Sequence, residues 1–215
     1  MKQMTEHLLL YAVTDRAGAE LPLFLARIEA ALAGGVTCVQ LREKHLDEDA
    51  FTAEAIRVKK LCQSYGVPLL INDNLNVALN SHADGIHVGQ ADCPVREIRK
   101  RAGRDFIIGA TAKTVAQAQK AEADGADYLG IGAVFPSPTK ADAIRITTED
   151  LKQICRSVSV PAIAIGGICH ENISLLQGSG ICGIAAVSAL FSAEDVKEAA
   201  QRLKADVLEI MQKND

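Results

Sequence analysis

Eight short apolar runs alternate with eight longer amphipathic runs along this chain of 215 residues. We predict strands at 8–13, 36–41, 68–71, 84–88, 105–109, 127–132, 161–165 and 183–187. We predict helices near 21–34, 47–65, 75–81, 93–102, 114–124, 148–157, 170–178 and 193–212. Strict alternation of strands and helices produces a parallel sheet, and eight such units close a (β/α)8 TIM barrel. No GxGxxG motif follows the first strand to favour the alternative, an open doubly wound sheet. No linker or change of composition divides residues 1–215, so we expect a single barrel domain.

The composition is that of a globular protein with an aliphatic core. Apolar residues make up 48% of the chain, and tryptophan is absent, so Ala, Val, Ile and Leu must fill the interior, which suits strands covered on both faces. The net charge of -4 argues against nucleic acid or an anionic membrane as a partner. The six cysteines form no CxxC motif, and no apolar run approaches about 20 residues, so we expect a reduced, cytoplasmic protein without a membrane span. The sequence leaves open whether the chain forms a homo-oligomer.

Polar side chains follow the predicted strands, where the active sites of (β/α)8 barrels lie. In VQLREK, residues 39–44, Gln40 and Arg42 share strand parity, so we expect both to point into the barrel mouth. The alternative is a solvated strand end in which Glu43 forms a surface ion pair with a lysine. His87 lies within a strand and is expected to be a hydrogen-bonded core histidine rather than a metal ligand. Other strand ends carry Asp15, Asn72, Asp73, Gln90, Asp92, Thr111 and Lys113.

Two carboxylates follow neighbouring predicted strands. Asp73 in INDN and Asp92 in GQAD could share one hard cation, because Mg²⁺ is usually held by one or two carboxylates together with substrate phosphates. The alternative is that each Asp caps the helix that follows it, a role for which Asp is well suited. The sequence alone does not choose between these two roles.

The motifs that follow the last three predicted strands indicate a second anion-binding site. IGGI and VSAL follow strands 7 and 8, where barrel enzymes often bind phosphate through backbone N–H groups. PSPTK, after strand 6, offers two hydroxyls and a lysine stiffened by two prolines. The alternative is that these segments are ordinary turns and loops without a binding role, because glycine pairs and Pro/Ser/Thr runs are common in such segments.

The ordered set of motifs resembles the thiamine phosphate synthase family. YAVTDR, QLREK, LIND, DGIHVGQAD, DYLGIGAVFPSPTK, AIGGI and VSAL occur in the order and spacing of that family, over about residues 10 to 191. The resemblance implies a (β/α)8 barrel that joins 4-amino-2-methyl-5-(diphosphooxymethyl)pyrimidine to a thiazole phosphate. It also implies release of pyrophosphate, a Mg²⁺ cofactor and small-molecule substrates as the partners of the chain.

The resemblance also assigns roles to particular residues. It implies that the pyrimidine diphosphate is held by Gln40, Leu41, Arg42, Glu43, Lys44, Asn72, Thr111 and Lys140. It implies that the thiazole phosphate is held by Ser137, Pro138, Thr139, Gly167, Val187 and Ser188. Asp73 and Asp92 would bind Mg²⁺. We expect Arg42, Lys44 and Lys140 to be catalytic, because they would stabilise the charge that grows on the leaving diphosphate.

Several positions depart from the family pattern. Asn74 stands where Arg is common, and Lys113 stands where many members carry His. Thr111 stands where the family usually has Ser, and Ser137 stands where it usually has Thr, so both positions keep a hydroxyl group. The departure at Lys113 bears on the closest alternative, a thiazole tautomerase of the same superfamily, which needs a general base after strand 5. Two further alternatives are a Schiff-base aldolase that uses Lys140 or Lys44 and a non-catalytic, ligand-binding barrel.

Overall fold

The eight predicted strands are all present, and they pair in chain order as a closed parallel barrel. The computed structural model describes residues 2–136 and 144–212. The strands are β1 (Leu10–Val13), β2 (Cys38–Leu41), β3 (Leu69–Asn72), β4 (Gly85–Val88), β5 (Ile107–Ala112), β6 (Tyr128–Gly132), β7 (Ala162–Ile165) and β8 (Gly183–Ala186). The pairing of β1 with both β2 and β8 closes the sheet. The prediction of a (β/α)8 barrel is therefore confirmed.

The helices form the outer layer of the barrel. They are α1 (Lys2–His7), α2 (Leu21–Ala33), α3 (Glu48–Ser64), α4 (Leu75–Asn80), α5 (Val95–Ala102), α6 (Val115–Ala123), α7 (Thr148–Arg156), α8 (Ser188–Phe191) and α9 (Val196–Gln212). The short helices α1 and α8 were not predicted. Among the described residues, no helix is both long and apolar enough to cross a membrane.

The α-helix predicted near 170–178 is wrong. This segment contains only a single 3-10 turn, Ile173–Leu176. Before the turn, the Asn172 side chain accepts from the backbone of Cys169 at 3.0 Å and donates to the carbonyl of Gly167 at 2.8 Å. After the turn, Gly178 adopts a positive φ of 70°. Side-chain bonds to the backbone at one end and left-handed backbone at the other confine the helical geometry to one turn.

The period-2 alternation of the strands divides the core into two layers. In β2, Val39 and Leu41 pack between the barrel and the helices, whereas Cys38 lies in the barrel interior. Gln40 shares the parity of Cys38 and is only 3% exposed. The outward layer therefore carries the aliphatic residues that attach the helices, and the inward layer carries the side chains that form the floor of the cavity described below.

The Ala-Asp pair that directly precedes β4 and the Ala-Asp pair that directly precedes β6 have the same structural role. Asp84 accepts from the backbone N–H of Leu69 at 2.7 Å and pairs with Lys59 at 2.5 Å. Asp127 accepts from the backbone N–H of Ile108 at 2.7 Å and pairs with Arg99 at 2.7 Å. Each Asp thus satisfies a backbone donor at the start of a neighbouring strand, at the end of the barrel opposite to the predicted site.

Candidate active site

A cavity of about 190 Å³ opens at the carboxyl ends of the strands. All eight strands or the loops that follow them contribute to its lining, as expected for the functional end of such a barrel. The lining residues are Val13, Gln40, Arg42, Asn72, His87, Thr111, Lys113, Gly132, Ala133, Ile165, Gly166, Gly167, Ile168, Ala185, Ala186, Val187 and Ser188. A larger, more open depression of about 670 Å³ lies at the opposite end, near Asp84 and Asp105, and none of the predicted site residues lines it.

Gln40 and Arg42 both line this cavity, as their strand parity predicts. The backbone N–H of Arg42 donates to the hydroxyl of Thr14 at 3.0 Å, which fixes the end of β2 against the end of β1. Thr14 is fully buried, so this bond is protected from water. The guanidinium of Arg42 therefore extends from a rigid strand end, and sites built on such elements hold their geometry better than sites on free loops.

A buried hydrogen-bond chain crosses the barrel beneath the cavity. Gln40 Nε2 donates to Tyr11 Oη at 2.7 Å, and Tyr11 Oη lies 2.9 Å from Tyr128 Oη. Tyr128 Oη lies 2.9 Å from Nδ1 of His87, and Nε2 of the same ring lies 3.0 Å from the hydroxyl of Thr111. We refer to Gln40, Tyr11, Tyr128, His87 and Thr111 as the buried hydrogen-bond chain. It links two predicted contacts of the pyrimidine diphosphate, Gln40 and Thr111.

His87 is a hydrogen-bonded core histidine that also lines the cavity. Burial lowers the pKa of its ring to about 4, although the negative charge of Asp92 acts in the opposite direction. The ring is therefore neutral near neutral pH, and one of its nitrogens accepts while the other donates. Sequence reasoning did not identify Tyr11 or Tyr128 as parts of the site, because both lie within apolar strand runs.

Two strand glycines make room for the rings of this chain. A Cβ placed on Gly109 would lie 2.1 Å from the ring of Tyr128, and a Cβ on Gly130 would lie 2.8 Å from the ring of His87. Glycine inside a strand often marks such a close approach. These glycines are the sequence signal that could have located the two rings.

Asp73 and Asp92 lie together at the rim of the cavity. Burial, followed by the adjacent Asp92 carboxyl, raises the pKa of Asp73 to about 6, while Lys44 and Arg42 act in the opposite direction. Asn72 donates from Nδ2 to Asp73 Oδ1 at 2.8 Å. The rim thus brings two carboxylates and two cations into one small region, as their positions after adjacent strands predict.

The alternative role of these two residues as helix caps is wrong. Helix α4 is capped by Asn74, whose side chain accepts from the backbone of the first turn at 3.0 Å. Helix α5 has Pro94 at its N-cap position and no side-chain cap. Asp92 instead accepts from the backbone N–H of Gly89 at 2.7 Å, within its own loop. Neither carboxylate is needed to start a helix, and the binding of Mg²⁺ by the pair stays a prediction.

The pair of carboxylates fits a hard cation. Mg²⁺ favours oxygen ligands and is often held by one or two carboxylates, with the rest of its coordination completed by water and substrate phosphates. Across residues 2–136 and 144–212, no cluster of three or more His, Cys, Asp or Glu side chains is arranged to hold a metal ion. A cation between Asp73 and Asp92 would therefore depend on water and on a phosphorylated substrate for its remaining ligands.

Two residues of QLREK do not present their side chains to the cavity. Leu41 is fully buried in the layer between the barrel and the helices. The Glu43 carboxyl lies against that of Glu54, and burial followed by the charge of Glu54 raises the pKa of Glu43 to about 7. One oxygen of each carboxyl is buried without a hydrogen-bond partner, and Arg16 pairs with the other oxygen of Glu54 at 2.8 Å. The surface ion pair of Glu43 with a lysine is not formed within the described residues.

The far side of the cavity is built from the turns after β7 and β8. Gly166 and Gly167 have positive φ angles of 101° and 64°. A Cβ on Gly167 would lie 2.1 Å from the carbonyl oxygen of Pro136, so only glycine fits there. Val187 and Ser188 stand at the start of α8. Ser137, Pro138, Thr139 and Lys140 lie outside the described residues, but Pro136, which leads into them, packs directly against Gly167.

A closed barrel with a charged, glycine-rimmed cavity at the carboxyl ends of its strands defines a (β/α)8-barrel enzyme. The family model described as thiamine monophosphate synthase matches residues 10–190. Thiamine-phosphate synthase of Alkaliphilus oremlandii is 43% identical over 198 residues, which are 92% of this chain and 95% of that protein. Thiamine-phosphate synthase 2 of Streptococcus pneumoniae is 46% identical over 196 residues, covering 91% and 93% of the two chains. The solved thiamine phosphate pyrophosphorylase from Pyrococcus furiosus superposes with a TM-score of 0.89 at 35% identity, covering 97% and 99%. The chain belongs to the thiamine monophosphate synthase family and is a transferase of thiamine biosynthesis.

Proposed function

We propose that the chain condenses 4-amino-2-methyl-5-(diphosphooxymethyl)pyrimidine with a thiazole phosphate, giving thiamine phosphate and pyrophosphate. Membership of the family supports this reaction. The observation that supports it is one cavity at the carboxyl ends of the strands that brings charged side chains and glycine-rich turns together. Arg42 lines the cavity at the end of β2 and acts on Asp73 beside Asp92, whereas Gly167 and Ser188 line it from the turns after β7 and β8. Two substrates that each bear a phosphate group need two anion-binding regions, and we assign one region to each of these two sets of residues.

The diphosphate is assigned to the side formed by β2, β3 and β4. Arg42, Asn72 and Thr111 line the cavity, and Lys44 adds positive charge close to Asp73. Lys140 is assigned to the same group. Mg²⁺, held by Asp73 and Asp92, would supply further charge stabilisation to the phosphate oxygens when bound. For Leu41 and Glu43 we propose contact only through their backbone, because their side chains point elsewhere.

The assigned groups suit a dissociative reaction. The bond between the methylene carbon and the diphosphate oxygen breaks, and its electron pair leaves with pyrophosphate. The electron-rich aminopyrimidine shares the positive charge that remains on the methylene. The lone pair of the thiazole nitrogen then forms the new carbon–nitrogen bond. Arg42, Lys44 and Lys140 act by stabilising the charge that develops on the leaving group, and no side-chain nucleophile is required.

The thiazole phosphate is assigned to the turns that follow β6, β7 and β8. Gly167 allows a close backbone approach, and Ser188 starts a short helix whose first N–H groups point along the helix axis. Ser137, Pro138, Thr139 and Val187 are assigned to the same phosphate. Holding this substrate next to the pyrimidine converts a bimolecular encounter into a step within one complex, which is a large part of the rate gain available to such an enzyme.

The direct test is to mix the two phosphorylated substrates with the chain and Mg²⁺. We expect thiamine phosphate and pyrophosphate to appear in equal amounts, detected by chromatography and by a pyrophosphate assay. A pyrophosphate signal without thiamine phosphate would indicate hydrolysis of the pyrimidine diphosphate instead of condensation. Absence of both products, with a chain that is folded by circular dichroism, would exclude the proposed reaction.

A further inference from the structure

We propose that Asn172 is a positioning residue for the phosphate of the thiazole. Its side chain holds the turn after β7, residues 166–169, in the orientation that directs backbone N–H groups of the turn into the cavity. Asn172 does not line the cavity itself, so it acts through the turn rather than by touching the substrate. The inference rests on the proposed function for the identity of the ligand, but not for the geometry of the turn.

Both polar atoms of the Asn172 side chain are bonded to the turn. Oδ1 accepts from the backbone N–H of Cys169 at 3.0 Å, and Nδ2 donates to the carbonyl of Gly167 at 2.8 Å. Because a backbone N–H can only donate and a carbonyl can only accept, exchanging the two side-chain atoms would break both bonds. The backbone N–H of Asn172 also donates to the carbonyl of Cys169 at 3.2 Å. These bonds fix the side chain relative to the turn.

The turn is also held by the segment that follows β6. The backbone N–H of Phe135 donates to the carbonyl of Gly166 at 3.0 Å. Gly167 packs so closely against this segment that a Cβ on it would lie 2.8 Å from the carbonyl carbon of Phe135. Like Asn172, Phe135 does not line the cavity. The carbonyl groups of two successive glycines are therefore bonded to residues that lie outside the cavity lining.

Fixing these two carbonyl groups also fixes two N–H groups. In a trans peptide group, the N–H points away from the C=O of the preceding residue. The bonds of the Gly166 and Gly167 carbonyls therefore direct the N–H groups of Gly167 and Ile168 towards the cavity, which both residues line. Neither N–H donates a hydrogen bond within residues 2–136 and 144–212. Two successive N–H groups that face one cavity suit the oxygens of a phosphate group.

The substitution Asn172→Asp isolates the donor of this side chain. It keeps the size of the side chain and an oxygen that can accept from Cys169, but it places a second oxygen where Nδ2 donates to the carbonyl of Gly167. Repulsion between these two oxygens should turn the carbonyl away. Because the carbonyl of Gly167 and the N–H of Ile168 belong to one planar peptide group, the N–H should turn away from the cavity with it.

The first test compares the binding of a thiazole phosphate with that of the same thiazole bearing a free hydroxyl. Titration calorimetry without the pyrimidine gives both dissociation constants, because no reaction takes place. We expect the unmodified chain to prefer the phosphate, and Asn172→Asp to lower this preference by about 10-fold or more, as for a lost hydrogen bond to a charged group. Ser174→Asp, on an exposed residue of the same segment, adds the same charge without altering the bonds of Asn172. This control should keep the preference of the unmodified chain.

The second test uses NMR on the unmodified chain. Its sequence contains two Gly-Gly pairs, at 34–35 and 166–167, so glycine labelled with ¹³C at the carbonyl and with ¹⁵N gives selective amide signals for Gly35 and Gly167 alone. Gly35 precedes β2, at the end of the barrel opposite to the cavity. We expect the thiazole phosphate to shift one of the two signals, and the hydroxyl compound to shift it much less. Equal shifts with both compounds, or no shift of either signal, would overturn the inference without the need for a variant.

The outcomes separate this inference from the proposed function. If Asn172→Asp bound both thiazoles more weakly by the same factor, Asn172 would have a structural role only, and the inference would be overturned. It would also be overturned if Ser174→Asp lowered the preference as much, because charge alone would then explain the change. A chain whose preference depends on Asn172 but which forms no thiamine phosphate from the two substrates would retain the inference and reject the condensation. Failure of the unmodified chain to prefer the phosphate would overturn the inference even if condensation is observed.

Discussion

Asp73 and Asp92, carried by the loops after β3 and β4, bring their carboxyl groups into contact at the rim of the barrel cavity. Neither serves as a helix cap. Asp73 also adopts a left-handed backbone with φ of 63°, a conformation that is uncommon outside glycine and is tolerated best by Asn and Asp. Repulsion between the two charges and an unfavourable backbone both reduce stability, and such features concentrate at functional sites.

The first prediction is that Asp73→Asn separates activity from stability. Asn tolerates the left-handed backbone and keeps an oxygen that can accept from Asn72, so only the charge is removed. We expect the rate of condensation to fall by about 10²-fold or more, because a group that supports charge stabilisation is lost. We also expect the free energy of unfolding to stay the same or increase, because the repulsion with Asp92 is removed. Initial rates at several Mg²⁺ concentrations and urea unfolding measure the two effects.

Asp105→Asn is the matched control for this variant. Asp105 is exposed and lies at the opposite end of the barrel, so the same loss of one charge should leave the rate unchanged. If Asp73→Asn retained full activity in the presence of a chelator, the assignment of the pair to Mg²⁺ would be wrong.

The second prediction concerns the dependence of stability on pH. The pKa of Glu43 is raised from 4.5 to about 7, first by burial and then by Glu54, so folding favours the protonated form. Its stabilising contribution is therefore complete below about pH 4.5 and is lost as the pH rises to about 7. Glu43→Gln mimics the protonated carboxyl at every pH. We expect the free energy of unfolding of Glu43→Gln to exceed that of the unmodified chain by an amount that increases as the pH rises across this interval.

Urea unfolding at a series of pH values tests this prediction. Glu20→Gln, on an exposed residue that makes no capping hydrogen bond, is the control and should follow the unmodified chain at each pH. If Glu43→Gln also followed the unmodified chain across the whole interval, the pKa of Glu43 would not be raised by burial and by Glu54 in the folded state.

The barrel and the polar strand ends could be predicted from the sequence because both depend on local patterns. The strand period assigned Gln40 and Arg42 to the barrel mouth, and the structure agrees. The positions of Asp73 and Asp92 after adjacent strands also placed them together, since neighbouring strands in sequence are neighbours in a parallel barrel.

The remaining parts of the site depend on contacts that no local pattern contains. Tyr11 and Tyr128 are 117 residues apart and meet only because the closed barrel directs both into its interior. Strand parity does not specify which inward side chains touch across the barrel, since this depends on strand tilt and stagger. Glu43 follows the strand that carries the site, but its contact with Glu54 on α3 is set by how that helix packs.

The third prediction concerns Lys113, which lines the cavity after β5. A thiazole tautomerase would need a general base at this place, and a lysine is poorly suited to that role unless its pKa is lowered. We expect Lys113→Ala to keep much of the condensation activity. We also expect the unmodified chain to show no useful isomerisation of the thiazole by NMR. Rapid isomerisation that disappears in Lys113→Ala would favour the tautomerase over the synthase.

The last prediction is that the two sides of the cavity fall into different kinetic classes. Arg42 is assigned to the leaving diphosphate, where charge grows as the bond breaks, so Arg42→Ala should lower kcat and kcat/KM for the pyrimidine by about 10²- to 10³-fold. Ser188 is assigned to the phosphate of the thiazole, whose charge does not change during the reaction. Ser188→Ala should therefore mainly raise KM for the thiazole, by the equivalent of about 0.5–3 kcal/mol, with little effect on kcat. Steady-state kinetics with each substrate varied in turn measure these parameters.

Ser192→Ala, at the exposed end of α8, is the control for the serine change. If Arg42→Ala and Ser188→Ala altered the same parameter for the same substrate, one anion site would account for both residues, and the division of the cavity would be wrong.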